Sequence, residues 1–187
     1  MTESKLLELY LKNGDASAFE SLVQLHEGSL LRFARRLTGD ASLAQDVVQE
    51  TFVRLVTQAA DLREHATLTT WLYRVCRNLC LDVMKKESRM RRRESQAALP
   101  EGYHAERAAI EALEERALVG RKLQELPPNQ REVIFLKIVK GMSYRQISEI
   151  TGHSTGHVGY LIHHGLKHLA YVLKAAGVIE ALPGEMS

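Results

Sequence analysis

The chain has 187 residues, 45% of them hydrophobic and 26% charged, with a formal net charge of +2. That length supports one large domain or two small ones, and the apolar share is that of a globular protein, which excludes disorder throughout. No apolar run approaches the roughly 20 residues that a bilayer span requires, and Met1-Thr-Glu-Ser-Lys5 offers no basic lead into an apolar stretch, so the expectation is a cytoplasmic protein without membrane insertion.

No proline precedes Pro100, and the apolar residues before it recur at three and four positions, which predicts consecutive helices rather than strands. The first runs from Glu3 to Asn13, with Gly14 as its stop. Asp15 caps a second, which turns Phe19, Leu22, Val23, Leu30, Phe33, Ala34 and Leu37 inward until Thr38-Gly39-Asp40 breaks it. Ser42 is read as the cap of a third, with Val48, Phe52, Leu55 and Val56 on one stripe. A polar loop from about Ala60 to Thr67 leads to a fourth helix starting near Thr69 or Thr70, with Trp71, Leu72, Val75, Leu79 and Val83 as its core face. Cys76 and Cys80 lie four apart on that helix without a second pair at zinc spacing, so they read as buried thiols of a reducing compartment.

Charge is unevenly placed along this pattern. Residues 1–95 hold 15 Lys and Arg against 13 Asp and Glu, residues 96–115 one against five, and residues 116–187 nine against five. From Arg74 to Arg93 eight cations face two acids, a candidate phosphate-facing surface. Beyond Arg91 the pattern dissolves through Leu99-Pro-Glu-Gly-Tyr103, a linker. The expected fold class is therefore all-α with two small helical domains: 1–93, a linker over 94–112, a second domain over 113–175 and a tail over 176–187.

In the second block, periodicity returns from Ala108 to Leu126, and Pro127-Pro128 starts a helix because proline is tolerated in a first turn. Val133, Ile134, Leu136 and Ile138 are expected on its core side, with Gly141 as its end. Ser143 then caps a short helix with Ile147 and Ile150 inward, Gly152 supplies the positive φ of a tight turn, and Ser154 caps a second helix. Its apolar positions are Val158, Ile162, Gly165 or Leu166, Leu169 and Leu173. His157, Gly159, Tyr160, His163, His164, Lys167 and His168 face away, the positions that would enter a major groove. The segment from Met142 to Leu169 is thus a helix-turn-helix.

Leu126-Pro-Pro-Asn-Gln-Arg-Glu-Val133, Gly141-Met-Ser-Tyr-Arg-Gln-Ile-Ser-Glu-Ile150 and Gly152-His-Ser-Thr-Gly-His-Val158 resemble region 4 of the small sigma factors of bacterial RNA polymerase, the extracytoplasmic-function (ECF) branch of the sigma-70 family. The first block is similar to region 2 of the same family. Asp46-Val-Val-Gln-Glu-Thr-Phe-Val-Arg-Leu55 resembles the helix that docks on the beta-prime clamp. Trp71-Leu-Tyr-Arg-Val-Cys-Arg-Asn78, followed by Asp82 and Lys85-Lys86, resembles the helix that opens and reads the −10 element.

The resemblance implies a sigma factor that docks on core RNA polymerase (beta-prime clamp and beta flap), with promoter DNA and an anti-sigma factor as further partners. By the same resemblance, Asp46, Gln49, Glu50, Val53 and Arg54 would bind polymerase. Arg63, Thr69, Trp71, Arg74, Arg77, Asn78, Lys85, Lys86 and Arg89 would serve the −10 element, with core anchoring as the alternative for Trp71. Arg145, Ser154, Thr155, His157, Tyr160, His163, His164 and Lys167 would serve the −35 element. The chain departs from the family pattern at Leu68, where phenylalanine is frequent. It departs again at Gly159-Tyr160-Leu161, where a Lys-Ser-Arg run is usual, and at His164, where arginine is common.

No catalytic constellation is present: no Gly-rich phosphate loop follows a strand, and no nucleophile has a recognisable base. No cofactor is expected, and the protein is not expected to be an enzyme. Two other readings stay open on sequence alone. One is a free-standing helix-turn-helix regulator that acts without polymerase. The other is a metal sensor built on His153, His157, His164 and His168, which include pairs at helical spacing.

Overall fold

The computed structural model describes residues 2–58, 67–93, 120, 122–123, 125–175 and 177. Seven α-helices are found among the described residues: α1 (Glu3–Asn13), α2 (Ala16–Thr38), α3 (Ala41–Gln58), α4 (Leu68–Arg93), α5 (Pro128–Ile134), α6 (Tyr144–Thr151) and α7 (Thr155–Ala175). A π-helical stretch, Phe135–Val139, continues α5. The chain divides into two compact units, one holding α1–α4 together with residues 145–153, the other holding α5, the π-helical stretch and α7.

In the first unit, glycine and aspartate punctuation sets the helix boundaries. Gly14 ends α1 at φ 64° and its N–H donates to the Tyr10 carbonyl at 2.9 Å, a left-handed cap that glycine adopts without a Cβ penalty. Asp15 opens α2, its Oδ1 accepting the Ser17 N–H at 2.9 Å and the Ala18 N–H at 3.2 Å. The cap of α3 differs from expectation: Asp40 Oδ1 accepts the Leu43 N–H at 2.9 Å, and Ser42 already lies inside the helix. α4 starts at Leu68, with Thr67 Oγ1 accepting the Thr70 N–H at 3.3 Å.

α2 packs against α1, α3 and α4, and α3 also packs against α4. Their shared core contains Leu22, Leu30, Phe33, Leu55, Trp71, Leu72 and Tyr73. The Phe33 and Tyr73 rings meet at a tilt of 59°, 5.0 Å between centroids. Cys76 and Cys80 are both fully buried and free. A hydrogen bond with Cys80 and burial push the Cys76 thiol well above its usual range, so it remains protonated. Two core assignments are corrected. Val56 is 53% exposed, and α3 instead buries Ala44, Val47 and Thr51, with Thr51 Oγ1 donating to the Val47 carbonyl at 2.8 Å. On α4, Val75 and Val83 are half-buried, while Leu68, Thr70, Tyr73, Cys76 and Cys80 lie inside.

In the second unit, Pro128 occupies the first turn of α5, where its missing N–H costs nothing. Val133, Ile134, Phe135 and Leu136 are buried, but Ile138 is 62% exposed rather than in the core. The π-helical stretch explains this: the Lys140 N–H donates to Phe135, five residues back, at 3.3 Å, and the extra residue per turn rotates Ile138 and Val139 outward. α5 packs on α7, which buries Val158, Leu161, Ile162 and Gly165. Leu166 is 39% exposed, so the contact falls on Gly165; Leu169 and Leu173 are half-buried.

Candidate functional site

Four helices, α3, α4, α6 and α7, present the candidate residues among the described ones, with Ser154 capping the last. On α3, Asp46, Gln49, Glu50 and Val53 are exposed and Arg54 is half-exposed. Glu50 Oε1 pairs with Arg54 Nε at 3.1 Å, one helical turn apart. Such an exposed pair is worth about 0.3–0.5 kcal/mol, so either side chain can exchange it for another partner at little cost. Beside this stripe lies a groove of about 620 Å³ between α2 and α3, lined by Phe19, Val23, Gln49, Phe52, Val53 and Val56 among others. Leu25, Val53 and Val56 stand 56%, 53% and 53% exposed, an apolar surface adjoining polar and acidic groups.

On α4, Arg74, Asn78, Lys85, Lys86 and Arg89 are exposed and Arg77 is half-buried. These positions follow the outer side of a helix whose other side is the core. Trp71 lies in that core at 3% exposure. Thr69 is half-buried, its hydroxyl donating to the Glu3 carboxylate at 3.2 Å from each oxygen. Glu3 is also 3.7 Å from His26 Nε2, so residues of α1, α2 and α4 meet there, a junction without any signal in the sequence pattern. Arg63 lies outside the described residues.

The turn between α6 and α7 is locked by polar side chains. Gly152 adopts φ 76°, and its N–H donates to the Ser148 carbonyl at 2.9 Å. Ser148 Oγ donates to the His153 carbonyl at 2.6 Å, and Thr151 Oγ1 accepts the His153 N–H at 3.3 Å. Ser148 and Thr151 were not singled out from the sequence, although serine and threonine next to a glycine turn are the residue types that bond locally to the backbone. Ser154 caps α7, its Oγ accepting the His157 N–H at 3.2 Å. On α6, Arg145 is exposed and pairs with Glu149 at 3.3 Å.

Along α7, Thr155, His157, Tyr160, His163, His164, Lys167 and His168 are all exposed. Their rings form a ladder. Tyr160 is stacked with His157 at 6.0 Å and 11°, and lies 4.1 Å from His164, which meets His163 edge-on at 5.5 Å. Gly159 is where Tyr144 approaches: a Cβ there would sit 3.3 Å from the Tyr144 ring. Among the described residues, no group of three or more His, Cys, Asp or Glu is placed to hold a metal ion. Nor is any helix among them long and apolar enough to cross a membrane.

Residues 22–90 match the model of Sigma-70 region 2, and residues 116–169 match that of Sigma-70, region 4. The ECF RNA polymerase sigma factor SigL of Mycobacterium tuberculosis is 31% identical over 168 residues, covering 88% of this chain and 93% of the relative. The chain belongs to the ECF branch of the sigma-70 family. ECF RNA polymerase sigma factor SigE of Mycolicibacterium smegmatis is 34% identical over 166 residues, 83% of this chain, which spans 63% of SigE's length. Among solved structures, the sigma factor RpoE in complex with the anti-sigma factor NepR from Bartonella quintana matches with a TM-score of 0.70 at 24% identity. That match covers 83% of this chain and 96% of RpoE, and it shows the shared helical fold. A sigma factor directs RNA polymerase to promoters, and the region 2 match sets aside a free-standing regulator, which would lack that block.

Proposed function

We propose that this sigma factor divides promoter initiation among the three surfaces described above. Asp46, Gln49, Glu50, Val53 and Arg54 of α3 dock on the clamp of core polymerase, with the neighbouring apolar groove widening the contact. Arg74, Arg77, Asn78, Lys85, Lys86 and Arg89 of α4 follow the −10 strand, with Arg63 and Thr69 at its leading end. Arg145, Ser154, Thr155, His157, Tyr160, His163, His164 and Lys167 meet the −35 duplex. Trp71 acts from inside the core by holding α4 in place.

The observation that carries this division is chemical. Two successive helices of one unit expose opposite characters: α3 shows acids, an amide and valines, whereas α4 shows a run of cations. A polar stripe with an apolar edge suits a protein partner, and cations spaced along a helix suit phosphates. Opening the −10 element requires bases to leave the stack, at a cost of a few kcal/mol that contacts to the strand must offset. The protein itself then has no need of a catalytic group, since bond formation belongs to polymerase, and its place of action is the cytoplasm.

Asp46→Ala combined with Glu50→Ala tests the docking assignment. With helicity and melting temperature unchanged, the double variant is expected to lose at least tenfold in transcription and in retention by core polymerase. Wild-type retention and transcription would contradict the assignment. An anti-sigma factor that covers both units is proposed as the regulatory partner, supported by the matched RpoE being held by NepR. It is expected to co-purify with the chain from uninduced cells, and its absence there would count against it.

A further inference from the structure

We propose that the exposed histidines of α7 make −35 duplex binding proton-dependent: the helix takes up protons as it engages phosphates, and its grip tightens as pH falls. This deepens the assignment of α7 to the −35 element and rests on it. Over Thr155–Ala175 the helix carries four histidines and two lysines, Lys167 and Lys174, and neither Asp nor Glu. All four histidines are exposed. The permanent charge of the helix is therefore small, and its potential charge is three times larger.

Imidazole is the side chain whose ordinary charge change falls between about pH 5 and 8. Within the ladder, Tyr160 presents its ring to His157 at 6.0 Å and to His164 at 4.1 Å, and the face of an aromatic ring attracts a cation. His163 and His164, 5.5 Å apart, lie on the same exposed stretch, so one phosphate can meet both. Phosphates placed against the ladder favour the charged form of whichever imidazoles they meet, as any opposite charge does. By linkage, whatever raises proton affinity on binding also strengthens binding when protons are abundant.

The surrounding charged groups leave this balance in place. α5, the helix packed on α7, contributes Arg131 and Glu132, and Glu132 is buried at 7% exposure. Lys137, in the same unit, lies over the Tyr144 ring at 5.3 Å. Lys167 adds a like charge on α7 itself. At His164, where the family resemblance implies an arginine, the side chain is one whose charge depends on pH.

The test uses holoenzyme assembled from core polymerase and the full chain, on a promoter duplex located by its transcript start and on the same duplex with its −35 element scrambled. Dissociation constants are measured against salt at pH 7.8 and pH 6.0. For the wild type, the slope of log affinity against log salt is expected to steepen by about one to two at the lower pH, since each neutralised phosphate contributes about 0.9. His163→Gln with His164→Gln is expected to lose most of that steepening, and His163→Lys with His164→Lys to keep a steep slope at both pH values. Identical pH responses in the wild type and the glutamine pair would overturn the proposal while leaving the −35 assignment standing. If the glutamine pair does not bind, the lysine pair decides, and a slope in it that changes with pH as much as the wild type's would overturn the proposal. Equal affinity of the wild type for intact and scrambled duplexes at both pH values would overturn the assignment of α7 itself.

Discussion

Gly165 stands where α7 crosses α5, and a Cβ added there would lie 2.6 Å from Ile134 Cδ1 and 3.1 Å from Gln130 Cβ. Gly156, in the first turn of the same helix, has nothing within 4 Å of the equivalent position. One substitution should therefore act in opposite directions. Overpacking costs about 1–3 kcal/mol and the better helix propensity of alanine returns about 1 kcal/mol, so Gly165→Ala is expected to lose about 1 kcal/mol in denaturant unfolding. Gly156→Ala should hold or slightly raise stability. Equal effects at both sites would contradict the close helix crossing.

Asp15 makes a second residue-level case. Hydrogen bonds from the Ser17 hydroxyl and the Ala18 N–H hold its carboxyl below the usual aspartate range. A depressed folded-state value means stability that is present above the ordinary aspartate value of about 3.9 and is lost as pH falls through the folded value. Asp15→Ala should lower the melting temperature at pH 7, and its gap from the wild type should shrink by pH 3; a constant gap would show that the cap acts without its charge.

Among the helices, boundaries were more legible from sequence than faces. Gly14, Asp15, Gly39, Pro128 and Gly152 mark ends because each residue type has a backbone requirement that neighbours cannot replace. The start of α3 was misread because Asp40 and Ser42 are both good caps two positions apart. Asp40 prevails because Thr38-Gly39 ends α2, with Gly39 at φ 73°, and leaves Asp40 next to the first residue of α3, where its side chain reaches the Leu43 N–H. Asp40→Ala should therefore cost about 1 kcal/mol and Ser42→Ala very little, read from thermal melts; the reverse order would move the cap.

The outward turn of Ile138 could not be read from a 3.6-residue period, since a π-helical stretch breaks that period without a residue of its own to signal it. Val56 was misplaced for a different reason. It lies beside the expected stripe of α3, but no helix among the described residues covers it, and coverage depends on how helices pack rather than on their own sequence. The α4 core was broader than one stripe because both α2 and α3 pack against it, which brings Tyr73, Cys76 and Cys80 inside.

For the molecule as a whole, the legible part of the site was the exposed part. The cations of α4, the stripe of α3 and the outward side of α7 all stand on surfaces that a helical wheel identifies. The contacts that hold them were hidden because they join residues remote in sequence or bond to backbone: Glu3 to Thr69, Gly165 to Ile134, Ser148 to the His153 carbonyl. The cation-poor α7 also bears on how the parts cooperate. Under the proposed division, a weak −35 contact would become effective once polymerase docking and the −10 strand had raised its local concentration, and affinity would come from joined contacts rather than from any one helix.

The most direct test of this account is transcription reconstituted from purified core polymerase and the full chain on a promoter mapped in cells. A single defined start is expected, lost when either the −10 or the −35 element is scrambled, and lost equally when Asp46→Ala and Glu50→Ala are combined. A chain that binds the promoter tightly without polymerase, and adds no defined start when polymerase is supplied, would contradict it.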